Sequence, residues 1–283
     1  MDPVSIAAIS AAVGGSAGKL VEKAWGVGEK WLDSYFKDHQ PAAQEAAREN
    51  ALDFLNELAG RVHQLEEAAR NDQQVTAHIE SALADPDFSA LLKESLIGSS
   101  RTQDHDKHRL LARIVSERLR SEPEQMVALC SSLACHAVQH LTPKQIEFLG
   151  IATFALLIRP NPFPPPLPPH DFGRWYEQWL TAHISPYLPL SPVSNVDLAH
   201  LESASCIRWE SFISRDLKKS LSPPEDSGYD WAFDDFVENT DAGKGLLELW
   251  EKQIKRTTLT TAGQLIGIYV HDDKTGTTTA ITW

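Results

Sequence analysis

Ala51, Leu55, Leu58, Val62, Leu65 and Ala69 recur at alternating spacings of four and three residues. That spacing returns a side chain to one stripe of an α-helix every turn, so the segment must be a long helix packed along one seam. A single such helix cannot bury its own stripe, and the chain around it supplies partners. Asp85 followed by Pro86 ends one helix and caps the next, which carries Phe88, Leu91, Leu92 and Leu96. Leu111, Ile114, Val115 and Leu119 mark another. Ser121 and Glu124 bracket Pro123 as a capping box for the helix holding Leu129 and Leu133. Residues 1–140 therefore read as an all-α bundle.

The opening of the chain is unusual. Pro3 to Gly18 contains no charged residue and is rich in Ala, Ile, Val, Gly and Ser. It is shorter than the roughly 20 apolar residues of a spanning helix, and it lacks the basic start of a signal peptide, so the segment is expected to be retained. Asp2 caps a helix whose first residue is Pro3. Ile6, Val13, Leu20 and Val27 then recur every seven residues, with Ala17, Ala24 and Trp31 on the same stripe. Ile6, Ile9, Val13, Ala17, Leu20, Val27 and Trp31 form the candidate assembly or membrane face. Burial within the bundle is the plainer use of this stripe. Insertion into a membrane on activation is the alternative, because small residues spaced four apart also suit helix association in lipid.

From residue 141 the pattern changes. Thr142, Pro143 and Gln145 spell a capped helix start, followed by Ile146, Phe148, Leu149 and Phe154. Six of the eight residues from Pro162 to Pro169 are proline, which reads as a stiff surface insertion. A short helix is expected around Trp175, Trp179 and Ile184. The segment from Asn195 to Arg208 looks like the third helix of a winged-helix unit, with Leu198, Leu201 and Ile207 at core positions. Residues 257–269 resemble the strand and returning helix that close such units. Thr277–Trp283 is β-branched and reads as a strand after a turn over 272–276. The fold class expected is thus mainly α: an N-terminal helical bundle (1–140), then a winged-helix-like α+β unit (141–283) with insertions at 160–194 and 209–255. In the second insertion Trp209, Trp231 and Trp250 are expected to anchor the segment to the core.

Charge limits the partners. The chain carries −13 overall, and none of residues 1–72, 73–194 or 195–283 is net basic. Lys and Arg neutralisation of phosphate supplies most nucleic-acid affinity, so nucleic acid is disfavoured as a partner, as is recruitment to anionic lipid through a basic patch. The candidate recognition helix holds Asp197 and Glu202 and no basic residue before Arg208. This favours a protein-binding or structural role for that unit. Three cysteines, Cys130, Cys135 and Cys206, argue against a disulfide framework and for a reducing, cytoplasmic setting.

Several further features carry a resemblance. The Gly- and Ala-rich first helix, the long heptad-like helix, the segment from Asp104 to Val115, the Leu141-Thr-Pro-Lys-Gln145 opening, the Leu201-Glu-Ser-Ala-Ser-Cys-Ile207 element and the late Leu259-Thr-Thr-Ala-Gly263 together resemble the Abi-alpha family. These are bacterial helical proteins associated with abortive infection. Ser205 stands where that family usually has glycine. The resemblance implies antiphage defence, with damage to the infected host as one route.

Catalytic and metal readings are weak in this sequence. Gly14-Gly-Ser16-Ala-Gly18 matches the nucleophile-elbow string, but that motif needs a strand before the turn and alternating strands and helices around it. A phosphate loop over Gly15–Leu20 fails because Val13 and Leu20 occupy its Gly and Ser/Thr positions. His136 and His140 lie one turn apart as zinc ligands could, but Cys130 points about 120° away on the same helix. His105-Asp106, with His78 and Asp171, can be read as a phosphohydrolase metal pattern. The plainer use of Asp104 and Asp106 is in a helix's first turn, where carboxylates cap and complement the dipole. The expectation is a non-enzymatic defence effector or accessory protein with no cofactor. Self-association is its default partner, with a second protein or a membrane as others. The alternatives are a non-catalytic interaction module or a metal-dependent phosphohydrolase.

Overall fold

The computed structural model describes residues 15–68, 81, 85–121, 126–161, 167–223 and 231–281. The chain divides into two compact units, Met1–His140 and Leu141–Trp283, and both are mainly helical.

The first unit contains α1 (Gly15–Phe36), α2 (Pro41–Ala68), α3 (Pro86–Ser100), α4 (His105–Arg118) and α5 (Met126–His140). The long helix α2 is the pillar, in contact with α1, α3 and α4, while α5 packs on α3 and α4. Ala51, Leu55, Leu58 and Val62 of the sequence stripe are fully buried, joined by Phe54 and Ala59. Each of the larger side chains contributes about 1.5–3 kcal/mol on leaving water. Leu65 is half-buried, and Ala69 lies outside the described residues.

Local capping delimits the other helices. Asp85 accepts from the Asp87 amide at the start of α3, with Pro86 at the first helical position. Its other oxygen receives Nη2 of the buried Arg118 at 2.7 Å. Asp104 caps α4 by accepting from the amides of Asp106 and Lys107. The capping box at Ser121 and Glu124 falls on residues outside the description, although Ser121 itself is buried.

The second unit holds α6 (Pro143–Leu157), α7 (Pro169–Ile184), α8 (Asn195–Ser203), β1 (Ile207–Trp209), α9 (Leu217–Leu221), α10 (Phe233–Asn239), α11 (Asp241–Lys252), β2 (Thr257–Leu259) and α12 (Thr261–Thr275). Thr142 and Gln145 form the capping box of α6 with both reciprocal bonds present. Helix α7 runs for sixteen residues and buries Phe172, Tyr176, Leu180 and Ile184, leaving Trp175 and Trp179 half-buried. The two strands pair antiparallel, Ile207 opposite Leu259 and Trp209 opposite Thr257. Leu198, Leu201 and Ile207 are buried, with Ile207 on the strand. Trp250 is fully buried and donates its indole N–H to the Arg215 carbonyl; Trp231 is buried and Trp209 half-buried.

Two glycines set the approach of α12. A Cβ on Gly267 would lie 1.8 Å from Thr153 Oγ1 and 2.5 Å from the Leu149 carbonyl oxygen, so α6 and α12 cross with backbone against side chain. A Cβ on Gly263 would meet the Cys206 carbonyl oxygen at 1.9 Å.

Residues 277–281, the described part of the expected C-terminal strand, are not in a strand. Residues 272–275 continue α12, and Gly276 ends it at φ +68°, the left-handed conformation that favours glycine. The buried carboxylate of Asp272 then accepts from the Thr279 amide and from the hydroxyls of Thr277 and Thr279. That folds the tail against the helix end, and residues 277–281 have no strand partner among the described residues. β-branched composition alone could not supply one.

Candidate functional site

The most concentrated chemistry of the first unit lies where α2 meets the start of α4. The turn after α3 ends in the Asp104 cap, which places His105 and His108 in the first turn of α4, three residues apart and on one face. On α2, Asn50 donates to the Ser100 carbonyl at 3.2 Å, fixing this turn against the pillar. One helical turn later, Asp53 reaches both histidines. Its Oδ2 lies 2.6 Å from His105 Nδ1 and 2.5 Å from His108 Nδ1. The three groups differ sharply in exposure: His108 is 1% exposed, Asp53 31% and His105 80%.

Hydrogen bonding assigns the protons of His108. Its Nε2 faces the carbonyl oxygens of Ser99 at 3.1 Å and Thr102 at 2.9 Å. Carbonyls only accept, so Nε2 carries the N–H. In the neutral ring Nδ1 is then a lone pair, aimed at a carboxylate oxygen at contact distance. Two lone pairs cannot face each other so closely unless a proton or a metal ion lies between them. Burial alone would raise the Asp53 carboxyl pKa, but the hydrogen bonds to His108 and His105 outweigh it and hold the group below its ordinary value.

A second feature is the outer face of α5. Met126, Leu129 and Leu133 are 45%, 59% and 58% exposed and follow a three-then-four spacing. The exposed His136 and His140 continue the same row, their rings 5.1 Å apart. The helix buries instead its small residues, among them Ala128, Ser131, Ala134 and Ala137. Leu129 and Leu133 thus lie on the opposite face from the one their apolar character suggests.

Of the candidate face on the first helix, Ile6, Ile9 and Val13 lie outside the described residues. Ala17, Leu20 and Val27 fall within α1, and Trp31 is half-buried with the Lys93 ammonium 5.0 Å from its ring centroid. The residues of α1 described as buried are Gly18, Ala24, Trp25, Gly28, Leu32 and Phe36. Ser16 lies in the first turn of α1, within a helix and not at a strand-to-helix elbow.

Of the sequence grouping His105, Asp106, His78 and Asp171, only His105 and Asp106 can be placed together, and they do not share a site. Asp106 is exposed and paired with Arg109, Asp171 belongs to α7 of the other unit, and His78 lies outside the described residues. The carboxylate that meets His105 is Asp53, 52 positions away. His105-x-x-His108 was the only local sign of it. Cys130, Cys135 and Cys206 are free and buried. Cys135 Sγ lies 2.9 Å from Ser95 Oγ, and burial raises its thiol to about 11. Among the described residues, no helix is long and apolar enough to cross a membrane.

A protein-family model matches residues 18–224, nearly three quarters of the chain. The chain belongs to that family. No curated protein and no solved structure matches it. The family match begins just after Ala17. It takes in Asp53, His105, His108 and the exposed row of α5, and it leaves out α12 with most of the candidate N-terminal face.

Proposed function

We propose that this chain is a bacterial antiphage protein of the abortive-infection type, non-catalytic and cytoplasmic, that works by assembling with further copies of itself. The sequence resemblance to the Abi-alpha family supports the defence reading. The observation that carries assembly is the row Met126, Leu129 and Leu133, standing in water on one face of α5. Apolar rows at this spacing are the seams along which helices pair, and a two-fold axis makes one such row its own complement. On this reading α8, the β1–β2 ladder and α12 form a degenerate winged-helix unit with a protein-contacting role, since α8 presents Asp197 and Glu202 where phosphate contact would need cations.

The test is the mass of the full chain in solution, with and without Leu129→Glu and Leu133→Glu. Both side chains are exposed, so the double variant keeps the fold. The wild type should sediment above its 31.4 kDa monomer mass and the variant at it, with protection of infected cells lost in parallel. A wild type that is monomeric in buffer would overturn assembly through α5. Assembly or toxicity that survives the α5 variant but disappears on removing residues 1–18 would transfer the role to the N-terminal face and to membranes.

A further inference from the structure

We propose that Asp53, His105 and His108 form a binding site for a divalent transition-metal ion of the zinc class, with Asp53 Oδ2, His105 Nδ1 and His108 Nδ1 as its ligands. The inference does not depend on the assembly reading above.

Four observations carry it. The three ligand atoms lie within 4.8 Å of one another, from side chains of two helices that pack together. Two imidazoles and one carboxylate are the donor set that borderline metals such as Zn²⁺ take. The buried His108 has its outer nitrogen tied to the Ser99 and Thr102 carbonyls. This is how metal-ligating histidines are held, because the N–H bond on the far side fixes the tautomer and turns the other lone pair inward. The fourth observation is graded exposure. His108 and Asp53 are anchored, whereas His105 is 80% exposed on the solvent side, which provides an entry path and an outer ligand that can swing.

The separations are consistent with loading. With metal–ligand bonds of about 2.0–2.2 Å, neighbouring donors in a tetrahedral shell stand roughly 3.3 Å apart. The present 2.5 and 2.6 Å would have to open by less than about 1 Å. His105 can supply most of that, since it is the first residue of α4 and exposed. Three protein donors leave a position for water. The ion would join α2 to the start of α4 and the turn between α3 and α4.

The experiment uses the full chain carrying His136→Ala and His140→Ala, because those exposed histidines one turn apart can chelate zinc by themselves. Zn²⁺ is titrated by calorimetry, and Co²⁺ serves as a visible-absorption probe of coordination. The expected result is one ion per chain, a raised Tm, and affinity lowered by about tenfold or more in His105→Ala and in Asp53→Asn. His108→Ala would leave a buried gap and can fail to fold. His105→Ala removes only an exposed ring, so it keeps the test decisive. No stoichiometric binding of either metal, or binding indifferent to both His105→Ala and Asp53→Asn, would overturn the site.

Discussion

His183 Nδ1 lies 2.7 Å from His271 Nε2, and the Tyr187 hydroxyl lies 3.1 Å from His271 Nδ1, so α7, the turn after it and α12 are joined by a buried chain of neutral polar groups. Phe154 of α6 stacks on both imidazoles, at 5.3 and 5.0 Å between centroids. Burial lowers the pKa of His271 to about 3, with the neighbouring His183 adding to the effect. His183 is also lowered by burial, partly offset by Asp272. In the unfolded chain both histidines titrate near 6.5. Between those limits the unfolded state binds more protons, so the second unit loses stability as pH falls below about 6.5. The slope should approach about 1.4 kcal/mol per pH unit for each histidine that stays neutral in the fold. Urea unfolding between pH 7 and 4.5 measures it. His271→Gln should flatten the slope while lowering stability at pH 7; an unchanged slope would contradict the assignment.

The crossing of α6 and α12 tolerates no side chain at Gly267. A Cβ there would sit 1.8 Å from Thr153 Oγ1 and 2.5 Å from the Leu149 carbonyl oxygen. Gly267→Ala should cost about 1–3 kcal/mol, the usual range for overpacking a tight core, and Gly267→Val more. Gly60 of α2, where a Cβ would meet nothing within 4 Å, is the control. Gly60→Ala should raise the unfolding midpoint slightly through helix propensity. If Gly267→Ala were as benign, the two helices would not be as close as described.

Ser205 adopts φ +56° between α8 and β1. That left-handed backbone is the conformation that favours glycine. A residue with a Cβ there is strained by about 1–2 kcal/mol, part of which glycine returns as unfolded-chain entropy. Ser205→Gly should therefore raise the unfolding free energy by up to about 1 kcal/mol, and Ser205→Val should lower it, as urea unfolding would measure. The Thr260 hydroxyl donates to the Ser205 carbonyl, a backbone bond that both variants keep.

Asp85 both caps α3 and pairs with Arg118, whose guanidinium is 4% exposed. Asp85→Ala removes the cap and leaves the cation buried, at a cost of about 2–4 kcal/mol. Asp85→Asn keeps a capping oxygen and should recover the cap portion only. Thermal unfolding of the two variants separates the contributions; equal losses would mean that the cap contributes nothing, and an Asp85→Asn variant as stable as the native chain would mean the same of the ion pair.

Burial raises the thiols of Cys135 and Cys206 to about 11 and about 12, and Cys130 is buried as well. In the native chain at pH 8 a water-soluble disulfide reagent should therefore label none of the three quickly, whereas in urea it should label three per chain. Fast labelling of one native thiol would place that cysteine at the surface.

Helix positions and caps were legible because their causes are local. The stripe of α2, the Asp85-Pro86 start and the Thr142/Gln145 box are each written within a few residues, and each forms. Face assignment was less legible. Leu129 and Leu133 look like core residues, but α5 buries its Ala, Ser and Cys face against α3 and α4, where close approach favours small side chains. The tail over 277–281 had strand composition without a strand to pair with, and Asp272 captured it instead.

By itself the sequence determined a mainly helical chain of net charge −13, because helical periodicity, capping chemistry and charge are properties of neighbours along the chain. Tertiary structure alone decided which carboxylate meets His105 and His108, and which apolar row remains in water. Asp53 is 52 and 55 residues from the two rings it contacts, and no local periodicity encodes a distance that only the packing of α2 against α4 brings down to 2.5 Å.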